Sequence, residues 1–372
     1  MRGMKVAIVH DFLNQYGGAE KVLEAFHGLF PEAPVYTLIY DPSSLPPDFK
    51  SWRIRTPRLI TKLPFLRSHY QKYLPLYPTA IEEFDLRGFD LVLSSSYLFA
   101  KGVLTPPSTC HISYCHTPMR PVWNMYPLYL KRSSLPIRLF LPFIFNYLRL
   151  WDFSSSQRVD HFLASSRWVA QRIKKYYGRE SEVIYPPVDT AGFSPSEELK
   201  DHYLVVSRLV PYKRIDLAVQ AFNLLGYHLK IVGKGAEERR LRALAHSNIK
   251  FLGWLPRERL AREYTGCQAL IFPGEEDFGI VPVEAQASGR PVIAYGIGGT
   301  RETIVEGKTG IFFNHQTPES LIEAIRRFQD LKFDPQDCVA NAQRFTKEVF
   351  VMRIKDFVEE KLREYQVEEN AY

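Results

Sequence analysis

Two glutamates in the second half of the chain have the spacing of a site for hydroxyls. Glu276 follows a short apolar segment that ends in a Pro-Gly turn, and Glu284 lies eight residues later in an expected helix. Carboxylates accept hydrogen bonds from neighbouring hydroxyls, and the free N–H groups at a helix start attract anions. The pattern predicts a polyol and anion site in which one acid holds a sugar and the other a ribose. The alternative is a capped helix with a surface acid.

Residues suited to a diphosphate lie on either side of this pair in the sequence. Arg208 and Lys213 follow an expected strand, and a planar guanidinium and an ammonium are good phosphate ligands. The segments 232–235 and 298–299 also follow strands, and glycines such as Gly233 permit close backbone approach. The alternative is that the basic side chains are only solvated and the glycines only form turns.

A second pair of glycines, Gly17 and Gly18, directly follows the first expected strand and precedes a helix. Their backbone N–H groups are suited to a phosphate, and Asn14 lies close by in the sequence. An ordinary turn between a strand and a helix is the alternative.

Residues 110–118, CHISYCHTP, allow two interpretations: a zinc site, or a strand that ends in an active-site loop carrying one histidine. A structural zinc ion needs four ligands in tetrahedral reach. Cys110 and Cys115 are an odd number of residues apart along a strand, so their side chains tend to point to opposite faces. Because no second Cys/His cluster completes the set, we expect no metal site, a structural His111 and a small, buried Cys115.

The elements that position these residues follow from the alternation of apolar segments with helical patterns. Continuous apolar strands separated by helices indicate parallel sheets that are covered on both faces. Two such series predict an α/β fold with two Rossmann-like, doubly wound domains. The expected strands are residues 5–10, 35–39, 91–94, 111–115, 161–164 and 182–184 in the first series and 203–206, 228–232, 249–252, 269–272, 291–294 and 310–313 in the second.

The length of 372 residues also fits two domains. Prolines and a glycine interrupt any periodic pattern between residues 185 and 200 and indicate a hinge region. We therefore predict a first domain at 1–186, a second domain at 187–346, and a helix at 347–372 that crosses back to the first.

Together these motifs resemble the retaining glycosyltransferases of family 4, which have the GT-B fold of two Rossmann-like domains facing a central cleft. The resemblance covers nearly the whole chain and depends on the order and spacing of several motifs. It implies that the first domain is the acceptor side and that the second binds a nucleotide sugar. The motifs are the GGxE loop at 17–20, the histidine loop at 110–118, the RLxxxK segment at 208–213, the E-x7-E pair at 276–284 and the Gly-Gly-Thr-x-Glu segment at 298–302.

The resemblance also implies a role for each motif residue. Arg208 and Lys213 bind the donor diphosphate. Gly17 and Gly18 approach both the donor diphosphate and the acceptor, and His116 faces the donor sugar. The expected catalytic residues are His116, Glu276, Arg208 and Lys213. The expected donor-binding residues are Gly17, Gly18, Arg208, Lys213, Gly233, Glu276, Phe278, Gly279, Ile280 and Glu284.

Within the donor site, the resemblance assigns the sugar to Glu276 and to the backbone of residues 278–280. Glu284 is expected to bind the ribose hydroxyls. The base is expected to meet the loop near residues 251–255, whose residue types do not distinguish guanine from uracil.

The segments 114–123, 186–189 and 275–296 further resemble bacterial O-antigen and polysaccharide mannosyltransferases, which use GDP-mannose. This implies transfer of mannose onto a lipid-linked or polysaccharide acceptor with retention of configuration. Since the sequence contains no Asp-x-Asp motif, we expect no metal and no cofactor besides the substrate. The leaving phosphate would take the acceptor proton while His116 orients the sugar.

Charge and hydropathy indicate where the acceptor lies. Residues 51–75 contain six Lys or Arg and no acid, interleaved with aromatic and aliphatic residues, in a chain of net charge +7. Such a stretch suits an anionic membrane, with a solvated basic face or a nucleic-acid surface as alternatives. The apolar segment 133–151 is either a helix that lies on a membrane surface or a buried helix that forms an acceptor wall.

The sequence shows no run of eighteen apolar residues and no signal peptide, so we expect a cytoplasmic protein with reduced thiols. With the basic stretch, this predicts a peripheral enzyme at the inner face of the plasma membrane. Its partners would be a nucleotide sugar, a lipid-diphosphate-linked glycan and the anionic membrane, and no nucleic acid.

Three alternatives stay open. The same fold can use a UDP-sugar for glucosyl or N-acetylglucosaminyl transfer. A sugar-nucleotide 2-epimerase shares the fold, but it needs acid and base residues for which we find no matching set. A nucleic-acid-binding protein would use the stretch 51–75, but it would leave Glu276 and Glu284 unexplained.

Overall fold

The computed structural model describes residues 3–63, 66–196 and 200–369, and these residues divide into two α/β units. The first unit extends to Pro187 and resumes at Phe350, while the second unit is Val188–Val349. Residues 64–65 of the basic stretch, 197–199 of the expected hinge and 370–372 of the expected last helix lie outside the described residues.

The described strands of the first unit form one parallel sheet. In chain order they are β1 (Val6–Leu13), β2 (Val35–Tyr40), β3 (Ile54–Arg55), β4 (Leu91–Ser96), β5 (Cys110–Cys115), β6 (His161–Ala164) and β7 (Glu182–Val183). Their order across the sheet is β3-β2-β1-β4-β5-β6-β7. The six strands predicted for this half are confirmed, but β3 is missed, since two residues are too few to show an apolar or alternating pattern.

Helices with defined ends join these strands. For example, α7 begins where Ser166 Oγ accepts from the Val169 N–H at 3.1 Å, and it ends at Gly178, whose φ of 69° is left-handed. The helices are α1 (Gly18–Leu29), α2 (Arg58–Thr61), α3 (Leu66–His69), α4 (Tyr77–Glu82), α5 (Tyr126–Arg132), α6 (Leu135–Ser156) and α7 (Arg167–Tyr177).

The second unit repeats this plan in its described residues. Its strands are β8 (Tyr203–Val206), β9 (Leu229–Val232), β10 (Ile249–Gly253), β11 (Leu270–Phe272), β12 (Val292–Tyr295) and β13 (Gly310–Phe313). Its helices are α8 (Ile215–Leu225), α9 (Glu238–Leu244), α10 (Arg257–Gly266), α11 (Ile280–Ala287), α12 (Thr300–Thr303), α13 (Pro318–Gln329) and α14 (Pro335–Ala342). The six predicted strands of this half are confirmed, and the parallel order is β10-β9-β8-β11-β12-β13.

Both sheets therefore have the strand order of a Rossmann fold, as predicted. In such sheets, ligands bind outside the carboxyl ends of the strands at the point where the order reverses. That point lies beside β1 and β4 in the first unit and beside β8 and β11 in the second.

The last helix, Lys347–Glu369, packs on the first unit. Phe350 and Ile354 are buried in the same core cluster as Ile8 of β1. The Phe350 ring also stacks on Phe26 of α1, with 6.1 Å between the ring centres. These contacts hold the helix against the first sheet.

Candidate functional site

At the carboxyl edge of the second sheet, glycines let neighbouring loops pack closely. Gly233 has a φ of 130°, and a Cβ there would overlap the carbonyl oxygen of Ser207. A Cβ on Gly298 would overlap the Glu276 carbonyl. The Gly233 N–H donates to the Gly253 carbonyl at 2.7 Å. Gly233 thus has a packing role in the protein, and its contact with a donor stays a prediction.

Lys213 and Glu276 form an ion pair at this edge. Their side chains are 16% and 18% exposed, so most of each is covered while the charges stay close to the surface. Gly274 permits this arrangement, because a Cβ would come within 3.0 Å of the Lys213 backbone. The pair joins two predicted site residues that are 63 positions apart in the sequence.

The backbone directly after Lys213 has an unusual conformation. Arg214 has φ 54° and ψ 37°, and in the described part of the chain it is the sole residue other than glycine with a positive φ. It ends the short 3-10 turn Pro211–Lys213 and precedes α8. Strain of this kind persists where the surroundings fix the backbone, and it occurs often at functional sites.

Arg208 lies in the segment between β8 and the turn that contains Lys213. Its Nη2 donates to Tyr212 OH at 2.8 Å, and Lys213 Nζ lies 5.5 Å from the centre of the Tyr212 ring. The two cations predicted to bind a diphosphate thus flank one aromatic ring. Lys213 pairs with Glu276, and a guanidinium and an ammonium on one short segment suit an anion.

Glu284 is positioned by α11 and by a buried tyrosine. Gly279, with a φ of 99°, precedes the first helical residue, Ile280. Tyr264 OH donates to Glu284 Oε2 at 3.0 Å. Burial, reinforced by the Glu284 carboxylate, raises the pKa of Tyr264 well above its usual value, so the hydroxyl stays protonated. This bond fixes the carboxylate that is predicted to bind the ribose.

The start of α11 is anchored by Phe278. Its side chain is buried, and its ring centre lies 5.4 Å from that of Phe345. The first N–H groups of a helix have no acceptor within the helix. The backbone of residues 278–280, predicted to hold the donor sugar, therefore lies where a helix offers donors to a ligand.

At the carboxyl edge of the first sheet, His116 directly follows β5. Its Nε2 lies 2.8 Å from Ser95 Oγ, and its backbone N–H donates to the Ser96 carbonyl at 2.9 Å. Ser95 Oγ in turn lies 3.1 Å from His10 Nδ1 in β1. Burial, together with the nearby His10, lowers the pKa of His116 to about 3, so this histidine is neutral near pH 7.

The glycines after β1 belong to the same group of contacts. The Gly17 N–H donates to Glu20 Oε2 at 2.7 Å, and Gly18 is the first residue of α1. Glu20 Oε1 lies 3.5 Å from His10 Nε2. The glycine loop and His116 are thus linked through side chains inside the first unit.

Cys110, His111 and Cys115 lie on β5, and their contacts are those of structural residues. Cys110 and Cys115 are buried in different core clusters, as their odd spacing predicts. His111 Nε2 lies 2.9 Å from Ser94 Oγ, and burial, aided by the charge of Arg158, lowers the pKa of His111 to about 3. Among residues 3–63, 66–196 and 200–369, no three His, Cys, Asp or Glu side chains gather as metal ligands would.

His10, Ser95 and Tyr264 are site residues that the sequence analysis misses. His10 and Ser95 lie within strands, and only the register shows that they are paired across β1 and β4. Polar residues at matching positions of two expected neighbouring strands are the signal that would have found them. Tyr264 lies in α10 and carries no local signal.

The segment near residues 251–255, expected to be a loop that meets the base, is only partly a loop. Residues 251–253 belong to β10 and not to a loop, and the loop begins with Trp254, which is 69% exposed. The guanidinium of Arg242 lies 4.7 Å from the centre of the Phe251 ring. The base contact itself stays a prediction.

The apolar segment 133–151 forms most of α6 and has one exposed face. Leu135, Phe140 and Phe143 are 76%, 68% and 75% exposed, whereas Phe145 and Leu148 face the core. The helix is therefore buried on one face and exposed on the other, and its contact with a membrane or an acceptor stays a prediction. Within the described parts of the chain, no helix combines the length and apolar character needed to span a membrane.

The basic stretch packs beside α6. Ile60 and Leu66 belong to the same buried cluster as Phe145 and Leu148. Segments that are far apart in the sequence therefore share one side of the first unit. The exposed basic side chains of this stretch, among those described, are Arg53, Arg55, Arg58, Lys62 and Lys72.

Similarity to solved structures defines the class of fold. Sucrose-phosphate synthase from Thermosynechococcus elongatus matches with a TM-score of 0.72 at 17% sequence identity, over 96% of this chain and 99% of that chain. The two Rossmann-like units therefore have the GT-B fold.

Family profiles cover most of the chain. The profile described as Glycosyltransferase Family 4 matches residues 16–191, and the profile described as Glycosyl transferases group 1 matches residues 192–345. The chain belongs to glycosyltransferase family 4.

Curated relatives match part of the chain. D-inositol 3-phosphate glycosyltransferase of Acidothermus cellulolyticus is 31% identical over 221 residues, which are 49% of this chain and 49% of the relative. The GDP-mannose-dependent alpha-(1-6)-phosphatidylinositol monomannoside mannosyltransferase of Mycobacterium tuberculosis is 30% identical over 192 residues, which are 43% of this chain and 50% of the relative. The chain thus spans about half the length of these relatives.

Proposed function

We propose that this glycosyltransferase transfers mannose from GDP-mannose, with retention of configuration, to a lipid-diphosphate-linked glycan at the inner face of the plasma membrane. The Mycobacterium tuberculosis relative is named for a GDP-mannose donor and a lipid acceptor, which supports this choice. The resemblance of the segments 114–123, 186–189 and 275–296 to polysaccharide mannosyltransferases supports it as well.

The contact between Lys213 and Glu276 is the observation that carries the donor assignment. In a nucleotide sugar, the anomeric carbon joins a ring of neutral hydroxyls to a phosphate. A site for that junction needs a hydroxyl acceptor and a cation side by side. Glu276 would accept from the sugar hydroxyls, while Lys213 and Arg208 would hold the diphosphate.

This arrangement also suits the chemistry of transfer. Glycosyl transfer passes through an oxocarbenium-like state, and the leaving diphosphate gains negative charge. Arg208, Lys213 and the first N–H groups of α11 would stabilise that charge, each by about 3 kcal/mol if it is preorganised. The acceptor hydroxyl would attack from the face that the phosphate leaves, and the phosphate oxygen would take its proton.

The exposed face of α6 supports an anionic bilayer as the acceptor surface. The single acid in residues 126–156 is Asp152, which is buried, whereas Lys131 and Arg138 are exposed. An apolar helix face flanked by cations suits the interface of a bilayer with anionic lipids. Each basic residue near such a surface adds about 1 kcal/mol of attraction.

Thermal stabilisation by GDP, UDP and ADP, compared without added metal, tests the donor assignment. At a hundredfold excess over its Kd, the true nucleotide adds about 2.7 kcal/mol of stability. We expect stabilisation by GDP that is lost in Glu284→Ala. Selective stabilisation by UDP would replace GDP-mannose with a UDP-sugar, and no response to any nucleotide would contradict the proposal.

Binding to vesicles tests the acceptor surface. We expect Phe143→Glu to weaken binding to vesicles of anionic phospholipid by about tenfold or more, because a phenylalanine leaves the apolar phase. Leu224→Glu is the matched control, since Leu224 is 73% exposed on α8 of the second unit. Equal losses in the two variants, or vesicle binding by neither variant nor wild type, would contradict the membrane assignment.

A further inference from the structure

One buried carboxylate of the first unit accepts hydrogen bonds from four backbone N–H groups. Asp11 lies in β1 and is 0% exposed. Its Oδ2 accepts from the N–H groups of Tyr97 and Leu98 at 2.6 and 3.0 Å. Its Oδ1 accepts from the N–H groups of Phe99 and Ala100 at 2.5 and 2.7 Å. Both carboxylate oxygens are therefore held by one stretch of backbone, which begins directly after β4.

Such a set of N–H groups is an anion site that the protein fills with its own side chain. Successive backbone N–H groups that point to one place attract an anion. β1 and β4 are the neighbouring strands at which the strand order reverses, where Rossmann folds usually bind a ligand. Because Asp11 occupies these N–H groups, they do not serve a phosphate of a substrate. A buried N–H without an acceptor costs free energy, so the conformation of residues 97–100 depends on Asp11.

The stretch that Asp11 holds packs beside His116. The centre of the Tyr97 ring lies 6.2 Å from that of His116, and the two rings meet edge to face at 66°. The Tyr97 ring centre also lies 6.4 Å from that of Phe12 in β1. His116 is one of the residues expected to be catalytic. A shift of the backbone at residue 97 would therefore move a ring that packs on this histidine.

The other end of the stretch has contacts that do not involve Asp11. The buried ring of Phe99 lies 5.3 Å from that of Tyr77 and 5.5 Å from that of Trp151, measured between ring centres. Burial of these large rings stabilises the fold whether or not the carboxylate is present. We therefore expect replacement of Asp11 to loosen the stretch at Tyr97 without unfolding the unit.

We propose that Asp11 is a positioning residue for His116: its carboxylate is an internal anion that fixes the backbone of residues 97–100 and thereby holds the Tyr97 ring against the imidazole. The inference rests on the proposed function, in which His116 takes part in sugar transfer. Asp11 is fully buried, so its effect on the reaction passes through Tyr97.

Rescue by a small anion tests the first half of the proposal. Asp11→Ala leaves a space beside four N–H groups, and formate has the charge and shape of the missing carboxylate. We expect Asp11→Ala to lower Tm by about 10 °C, and sodium formate to raise it again relative to the same concentration of sodium chloride. Asp11→Asn, whose amide fills the space, should be less stable than the wild type and should not respond to formate. No effect of formate on Asp11→Ala would overturn the proposal.

Asp90→Ala is the matched control for this measurement. Asp90 Oδ2 also accepts from a backbone N–H of the first unit, that of Lys5 at 2.7 Å, but Asp90 is exposed. A single exposed N–H does not make an anion site, so formate should leave the Tm of this variant unchanged. Equal stabilisation of Asp90→Ala and Asp11→Ala by formate would mean a general effect of the salt, and the proposal would fail.

Kinetics separate positioning from a purely structural role. We expect Asp11→Ala to lower kcat by about a hundredfold, as misplacement of a reacting group does, while Kd for GDP is unchanged and formate restores much of kcat. In the double variant Asp11→Ala, Tyr97→Leu, formate should still raise Tm but no longer raise kcat, because the ring that transmits the effect is gone. Restoration of kcat in the double variant, or of Tm alone in Asp11→Ala, would overturn the proposal.

The two proposals fail in different experiments. A wild type that transfers no sugar would refute the proposed function. A wild type that transfers sugar, beside an Asp11→Ala variant whose Tm and kcat formate does not restore, would refute the role of Asp11 alone.

Discussion

The two sheets share a strand order but differ in the side chains at their carboxyl edges. In the first unit, His10 and Ser95 are 0% exposed, and His116 is a neutral ring. In the second unit, Lys213 and Glu276 form an ion pair whose side chains are 16% and 18% exposed. One topology thus supports buried polar side chains beside a neutral His116 in one place and a partly exposed ion pair in the other.

This difference has a physical reason. Fixing the direction of a hydrogen bond requires that water be excluded, and neutral groups tolerate burial better than charges. An ion pair that keeps part of its exposure to water has a lower desolvation cost than a fully buried one. The carboxyl edge of the first sheet thus offers a neutral imidazole, and that of the second offers charges.

The largest effect is expected where the first unit does bury charge. Lys101 Nζ, just after β4, lies 2.5 Å from Asp152 Oδ1, with side chains 2% and 0% exposed. Lys101→Ala removes the charged partner of the carboxylate, which keeps its bonds from Trp123 Nε1 and Tyr177 OH. We expect a loss of about 3–5 kcal/mol in the free energy of unfolding. Denaturant unfolding followed by tryptophan fluorescence measures it.

The control for this prediction is Arg87→Ala. Arg87 and Asp85 form a 2.7 Å ion pair whose side chains are 81% and 61% exposed, and we expect little change in stability. Similar losses in the two variants would show that burial does not distinguish the pairs.

The second prediction concerns the ion pair of Lys213 and Glu276 at the carboxyl edge of the second sheet. We expect Lys213→Ala to lower the rate of sugar transfer by about a hundred- to a thousandfold, because a preorganised partner for the leaving diphosphate is lost. Release of nucleotide from the sugar nucleotide measures it, with Lys308→Ala as a control at an exposed lysine. A loss below about tenfold would remove Lys213 from the donor site.

The third prediction concerns the loss of stability at low pH. Burial lowers the pKa of His111 to about 3, so below pH 6.5 the unfolded chain binds a proton that the folded chain does not. The contribution of the neutral His111 to the free energy of unfolding is therefore fully present above pH 6.5. It decreases by about 1.4 kcal/mol per pH unit as the pH falls toward 3. We expect His111→Gln to show a shallower loss between pH 7 and 5 in denaturant titrations. An identical slope in wild type and variant would contradict this.

The smallest effect is expected from removing one uncharged hydroxyl, that of Tyr264, in the second unit. Tyr264→Phe removes the 3.0 Å bond to Glu284, and we expect nucleotide binding to weaken by about tenfold in calorimetry. Tyr227→Phe, which removes a hydroxyl that donates to Gln329 in the same unit, should leave binding unchanged. Equal affinity in wild type and Tyr264→Phe would mean that Glu284 needs no support.

Periodicity predicts most of the fold because burial on both faces of a parallel strand demands apolar residues throughout. It fails at β3, where two residues carry no period, and it cannot show the register that pairs His10 with Ser95. The contact between Lys213 and Glu276 depends on the packing of Gly274 and Arg214, and sequence spacing contains no information about it. The exposed face of α6 was one of two open alternatives, since an apolar helix pattern does not state which face is covered.

Transfer of the sugar itself is the most direct test. The full chain is incubated with GDP-mannose labelled in the sugar and with lipid extracted from bacterial membranes, and the label is followed into the organic phase. The account predicts that label enters a lipid-linked product with retained anomeric configuration, and that Lys213→Ala slows this step. The account would be contradicted if GDP-mannose stays intact, whether the enzyme consumes a UDP-sugar instead or consumes no nucleotide sugar.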